Sequence, residues 1–537
     1  MPTTRRVVAA AAAGALALAL PAFSAAAAAP AGSSSGSSAT ASRSGEKLTA
    51  ADHTTLRTYA EDTWASMDAM VYPETGLPDD NITGDLDPQG RGGYTSPTNI
   101  GAYMWSTIVA RDLGMVGRSD ARKRLATTLD TVARLDRHDD SGMFYNWYDP
   151  KTLDVLRSWP DSGDPIKPFL SSVDNGWLAA ALMVVERAEP QLTSKARTLR
   201  KSMDFGFYYD PKAKGEDVKA GLIRGGFWDA DPTPECSIVG NYRDRGPDVW
   251  YTCHHYGAFN SEPRIASYIG IATGQIPREH YFGPWRTFPP TCDWSWTEQV
   301  PVGEWRTYLG VEVFEGAFEY RGKRIVPSWG GDMFEAFMPG LFVPESDWGT
   351  HSWRLNHPLY VQAQIEHGMD EAKYGYWGFS PSSNPAGGYR EYGVDQLGID
   401  GGSSTAGGYT SDQERTTVTP AYLDCRAAEP EPTAYGDGVV TPHAVFLALE
   451  YDPKASLENL ANLRADFDAY GPGGFYDAVA VRSGTVATRY LSLDQGMIMG
   501  ALGNFMDDDS LRGYFVSDQV KSELKPLMQM ERFSAGQ

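Results

Sequence analysis

A chain of 537 residues with 42% hydrophobic content can bury a large core, as one big domain or as several smaller ones. The formal charge of -22 and pI near 4.8 argue against a nucleic-acid or anionic-membrane partner, because the average field repels phosphate. The 15 Trp, 28 Tyr and 21 Phe often lie beside Gly, Asn, Asp or Glu. That mixture suits sugar binding, where ring faces stack on C–H groups and carboxylates hold hydroxyls, as well as ordinary core packing.

Arg5 and Arg6 precede an Ala/Leu-rich run, Val7 to Leu20, and A-x-A-like cleavage sites follow Pro21 near Ala25 to Ala29. Residues 1–29 therefore read as a secretion signal, with the export route open between a general and a twin-arginine pathway. Residues 30–47, rich in Ser, Gly and Ala, read as a flexible linker, and 48–537 as one catalytic domain with no internal linker. The expectation is a secreted monomer with no integral membrane segment once the signal is removed. Cys236, Cys253, Cys292 and Cys425 then reach an oxidising compartment, where four cysteines allow three pairings. Cys236 with Cys253 is the local choice and would leave Cys292 with Cys425. No C-x-x-C or His/Cys ligand spacing is present, so a structural zinc is not expected.

Along the mature chain, 51–70 reads as a helix, and the segment 72–93 that follows is rich in Pro, Gly, Asp and Asn. DDNITGDLDPQG holds several carboxylates but lacks the spacing of an EF-hand loop. TSPTNIGAYMWSTIVARDLG, from Thr95, has apolar residues at near-helical spacing, and 119–136 is its more charged companion. DDSGMFYNWYDPKTLDVL reads as a loop or short hairpin. SSVDNGWLAAALMVVERAEP, from Ser171, then repeats the first pattern, a polar entrance followed by an apolar helix, with 193–205 as companion. NSEPRIASYIGIATGQIP, SWGGDMFEAFMPGLFVP, VVTPHAVFLALEYDP and LSLDQGMIMGALGNFM bring the entrances to six. Two helices per unit and six units predict an all-α fold, an (α/α)6 toroid with its entrances facing one mouth. The segments 207–260, 282–327 and 374–438 lack helical periodicity and read as long aromatic and Gly-rich loops over that mouth.

A ring of carboxylates at helix entrances is what glycosidic hydrolysis needs: one protonated acid for the leaving oxygen and one carboxylate to activate water or attack the sugar. The candidates are Asp174, Glu262, Asp332, Glu335, Asp477, Asp494 and Glu391. Asp174 and Asp494 have a simpler explanation as helix caps, and Asp477 as a turn aspartate. Glu262 is a less usual cap, and its aromatic approach HHYGAFNSE offers the partial desolvation that raises an acid's pKa. His254, His255 and Tyr256, with Arg264 to neutralise a uronate, would instead suit a lyase. Serine-hydrolase, P-loop and dinucleotide fingerprints are absent.

TSPTNIG, VDNGWLAAAL, GFYYD, NSEPRIASYIGIATGQIP with HYFGPWRTFP, SWGGDMFEAFMP, GGFYDAV and LDQGMIMGALGN together resemble the glycoamylase-like domain. That domain is shared by the endo-β-1,2-glucanases of glycoside hydrolase family 144, their relatives and a region of the cyclic β-1,2-glucan synthases. The resemblance implies an (α/α)6 toroid, hydrolysis of an oligo- or polysaccharide, and no cofactor. It places the general acid on Glu262, the base on Asp477 and Asp174 along the subsite, with Glu335 and Asp494 inside its motifs; Asn175, Trp177 and Asp332, in the same entrances, are further candidate substrate contacts. It implies an inverting reaction in which water is activated through a substrate hydroxyl. One departure stands out: where many members read Trp-Gly-Ile-Ser-Glu, this chain has Trp377-Gly378-Phe379-Ser380-Pro381. Glu391, ten residues on, is the candidate replacement for the missing glutamate.

Overall fold

Each of the six polar entrances starts a helix. In chain order the helices are α1 (Ala50–Ala69), α2 (Pro97–Asp112), α3 (Arg118–Val132), α4 (Ser172–Ala188), α5 (Thr193–Lys201), α6 (Arg264–Ala272), α7 (Met333–Phe337), α8 (Glu345–Trp348), α9 (Trp353–Glu366), α10 (Pro442–Leu447), α11 (Pro453–Asp466), α12 (Ser492–Met506), α13 (Ser510–Phe515) and α14 (Asp518–Met530). This computed structural model describes residues 48–297, 299–399, 422–426 and 435–536. The signal, the linker and the Gly-rich 400–421 fall outside the described residues.

The entrances work by capping. Ser96 accepts from Asn99 N ahead of Pro97, Ser171 accepts from Asp174 N, and Asp332 accepts from Glu335 N, each satisfying a backbone donor that a helix start leaves open. The capping explanation thus holds for Asp332 and fails for Asp174 and Asp494, which lie in first turns and keep their carboxylates for other work. The entrance helices form a circuit: α2 packs on α4, α4 on α6, α7 on α10, α10 on α12, and α12 on α2. Between α6 and α7 the link is Arg264, whose guanidinium donates to the carbonyls of Glu335 and Ala336 (2.7 Å each). Outside them lie α1 on α12, α3 on α2, α5 on α4, α11 on α10 and α14 on α6. Close approach within the circuit depends on glycine: a Cβ at Gly101 would meet the Trp177 carbonyl at 3.0 Å, and one at Gly496 would meet Ala102 Cβ at 2.7 Å.

Helices hold 41% of the described residues, yet strands hold 17%, so the framework is helical and its excursions are not simply loops. The segment read as a loop over 282–327 contains two hairpins, Val302–Tyr308 with Val311–Tyr320 and the latter with Lys323–Ile325. Their turns are Leu309-Gly310 and Arg321-Gly322, all with positive φ, the pairing that matches strand twist in a two-residue turn. The alternation in Val311–Tyr320 and the two X-Gly pairs carried that signal in the sequence. A second sheet runs in the order Leu170–Ser171, Gly226–Trp228, Val249–Thr252, Ser237–Gly240, and begins immediately before α4. The cysteines pair as the local choice would have it, Cys236 with Cys253 inside this sheet region, leaving Cys292 with Cys425.

Candidate active site

Glu262 lies two residues before α6, where Trp177 from α4 reaches it: the indole Nε1 donates to Glu262 Oε1 at 2.6 Å. Enclosure by protein pushes the Glu262 pKa well above the usual carboxylate range; the indole hydrogen bond works against that, and the fields of Asp174 and Glu335 add to it. Asp174 accepts from the Thr98 hydroxyl at 2.6 Å, and its pKa is raised by burial despite that bond, with Asp80 contributing. Glu335 accepts from Gly330 N at 3.0 Å, while Asp332 beside it is held well above its usual range by burial and by Glu335.

Asp477 sits between the strands Gly474–Phe475 and Ala478–Ala480 and accepts from Ser383 N at 2.6 Å. Its neighbour Asp494, from the first turn of α12, is pushed up to about 7 by burial, Asp477 lowering it and Asp80 raising it. Burial and Asp494 drive Asp477 well above the usual range as well. His443 Nδ1 lies 3.3 Å from Asp494 Oδ2 and 2.8 Å from the Thr441 hydroxyl, which itself donates to the Asp477 carbonyl (2.7 Å). Ligand atoms of His443, Asp477 and Asp494 fall within 4.8 Å of one another, near enough to share a cation. Two enclosed carboxyl groups in contact resist ionising together, which favours a positive charge, from a proton or a cation, between them.

Each acid thus feels the next around the mouth: Glu335, Glu262, Asp174, Asp80, Asp494, Asp477. Tyr256 is enclosed beside Glu262, Asp174 and Glu335, and the phenol of Tyr389 is held up first by its surroundings and then by Asp494, Asp477, Glu391 and Glu262. Tyr389 is itself 44% exposed. It stands on a hairpin whose register pairs Ser382 with Arg390 and Ser383 with Tyr389. Continued by one residue, that register sets Glu391 opposite Pro381, the position at which the resemblance places the missing glutamate.

Two of the expected substrate contacts have other duties. Asn175 is fully buried and spends its amide on backbone, accepting from Phe144 N (2.8 Å) and donating to Phe144 O (2.9 Å) and Ser171 O (2.8 Å). Trp177 is fully buried and touches the site only through its N–H on Glu262. The lyase set disperses. His255 is bound to Asp210 (2.8 Å), which also accepts from Tyr242 and Arg224, and burial lowers the His254 pKa to about 4. Arg264 is spent on Glu345 (Nε to Oε1, 2.7 Å; Nη2 to Oε2, 3.1 Å) and on three carbonyls. Sequence reading passed over Asp80, Thr98, His443 and Tyr389. Asp80 lay in a stretch weighed only for calcium, and Thr98 and His443 lay inside the entrance motifs without being singled out.

Residues 295–517 match the Glycoamylase family model, described as "Putative glucoamylase", and residues 58–209 match one described as "Protein of unknown function (DUF3131)". A crystal structure described as a putative glucoamylase from Bacteroides fragilis superimposes with a TM-score of 0.58 at 19% identity, covering 90% of this chain and 98% of that one. The endo-β-1,2-glucanase of Chitinophaga pinensis, in complex with sophorotriose and glucose, gives 0.59 at 16% identity with the same coverage. The fold is the glycoamylase-like one. Among curated proteins, the cyclic β-(1,2)-glucan synthase NdvB of Rhizobium meliloti is 24% identical over 88% of this chain. The chain spans only 18% of that synthase's length. Within the glycoamylase-like fold, Asp174, Glu262, Asp332, Glu335 and Asp494 come from the starts of entrance helices or the turns just before them, and Asp80 and Asp477 from short connections between strands.

Proposed function

We propose that the protein is a secreted glycoside hydrolase of neutral, β-1,2-linked glucan, working on an (α/α)6 toroid with Glu262 as general acid. The observation that carries this reading is the state of Glu262: enclosed, driven toward its protonated form, and held in place by the Trp177 indole. A carboxylic acid that keeps its proton at neutral pH can give it to the leaving glycosidic oxygen as the C–O bond breaks. Asp477 is the base on the other side; paired with Asp494 around one proton, it takes a proton from water, through a substrate hydroxyl as the resemblance implies, with inversion at the anomeric carbon. Asp174, Asp80, Glu335, Asp332 and Glu391 then face sugar hydroxyls, and Tyr389 closes over them.

The names of the structurally similar proteins, β-1,2-glucanases among them, support the linkage. Two disulfides, and the lack among the described residues of a helix long and apolar enough to cross a membrane, are consistent with export. A lyase is disfavoured because Arg264, the cation that would neutralise a uronate, is buried against Glu345. The test is a panel of β-1,2-, β-1,3-, β-1,4-, β-1,6- and α-glucans scored for reducing-end release and, by NMR, for the anomer first formed. The reading expects release from β-1,2-glucan with the α-anomer appearing first. Release confined to another linkage would overturn the substrate, and binding without release would leave a glycan-binding protein.

A further inference from the structure

The acid ring does not account for the most solvent-exposed tryptophans. From Trp329, which precedes the Gly330 whose N–H donates to Glu335 at 3.0 Å, a line of rings extends along the chain's aromatic excursion. Trp296, 39% exposed, has its ring centroid 6.0 Å from that of Trp329; Trp294 is 6.4 Å from Trp296; and Trp285 is 5.5 Å from Trp294. Trp285 in turn lines a surface groove of about 280 Å³ with Trp305, Phe314, Lys214, Lys219 and Glu312. Trp305 is 59% exposed on the edge strand Val302–Tyr308. A groove of that volume is at the small end of ligand sites, enough for one or two sugar units, and it offers ring faces together with charged groups for hydroxyls.

The line is also stiff. Phe288 stacks on Trp294 at 4.0 Å and 5°, Cys292 is bonded to Cys425, Tyr422 OH donates to Pro289 O (3.0 Å), and Arg426 donates to Thr297 O (2.7 Å). Aromatic faces fixed in advance bind at little cost in side-chain freedom. Satellite core packing accounts for Phe288 and Trp285, but not for leaving Trp296 and Trp305 in water.

We propose that Trp329, Trp296 and Trp294 form a track that carries successive pyranose rings of a neutral glucan from the acid ring to a distal subsite at the Trp305 groove. This rests on the glucan reading above, and it adds subsites that reward long chains. The test uses the full-length protein carrying Glu262→Gln, so that binding is read without turnover, with calorimetry on β-1,2-glucan of about twenty units and on a tetrasaccharide. Trp296→Ala or Trp305→Ala in that background should weaken long-chain binding about five- to tenfold and lower the ratio of long- to short-chain affinity by the same factor. Long glucan should also quench tryptophan fluorescence less in either variant. An unchanged ratio in both variants, with long glucan still bound, overturns the track and leaves the hydrolase reading intact. No binding of either ligand by the Glu262→Gln parent overturns the glucan reading itself. Should Trp296→Ala unfold, Trp305→Ala, on an exposed edge, decides alone.

Discussion

Glu262 and Glu345 are both enclosed glutamates, one on either side of Arg264, and they are driven in opposite directions. Burial opposes the charge of each. Glu345 nevertheless falls to about 2, because Arg264 pairs with it on two oxygens and His357 and Tyr268 complete its hydrogen bonds. Glu262 receives one indole N–H and faces two further carboxylates, so it rises. The difference teaches how one short stretch of chain serves two ends: the guanidinium is turned inward to join α6, α7 and α8, and the carboxylate is left facing the mouth without a cation. A permanently ionised glutamate holds the framework, and a reluctant one is kept for chemistry.

That contrast can be broken at several points. Arg264→Met should cost about 3–5 kcal/mol in urea unfolding, because it strands Glu345 as a buried charge; a loss under about 1 kcal/mol would mean the pair is not the link between α6 and α7. Asn175→Ala should cost about 2 kcal/mol through its lost backbone bonds, with kcat of the folded protein within about twofold; a large kcat loss would return it to the substrate contacts. Asp494→Asn should act in the opposite sense. The Asp494 pKa is about 7 folded against 3.8 as a free side chain, so the folded state holds the extra proton and stability falls as pH rises through 7. At pH 8 the amide should therefore stabilise the protein by about 1–2 kcal/mol, a gain that vanishes below pH 4. Trp177→Phe removes the bond that favours ionised Glu262, so the alkaline limb of kcat should move to higher pH; a shift downward would contradict the acid assignment. The smallest effect expected is none: dialysis against EDTA should leave activity unchanged if a proton, not a metal, joins Asp477 to Asp494.

Much of this was legible in the sequence because capping and periodicity are local. Ser96, Ser171 and Asp332 announce three entrances, and the apolar runs behind them supply α2, α4 and the start of α7. Glu262 stood out for the same reason, an acid where a cap is expected, in aromatic company. What escaped depends on distant pairing. Asp80 joins the ring because its neighbours Asp174 and Asp494 come from helices far along the chain, and Glu391 faces Pro381 only through the Ser382–Arg390 register. The hairpins in 302–325 did have a local sign, in strand alternation and X-Gly turns, which the search for helical period passed over. Asn175 is spent on the Phe144 and Ser171 backbone, and nothing local in the sequence separates such an entrance asparagine from one that meets substrate.

The role of Glu262 is tested most directly by separating proton donation from every other duty. Glu262→Gln should lower kcat on β-1,2-glucan by about a thousandfold or more, yet retain most of the wild-type rate on a 2,4-dinitrophenyl sophoroside, whose leaving group needs no proton. Equal losses on both substrates, with the fold intact, would contradict the assignment of Glu262 as the general acid.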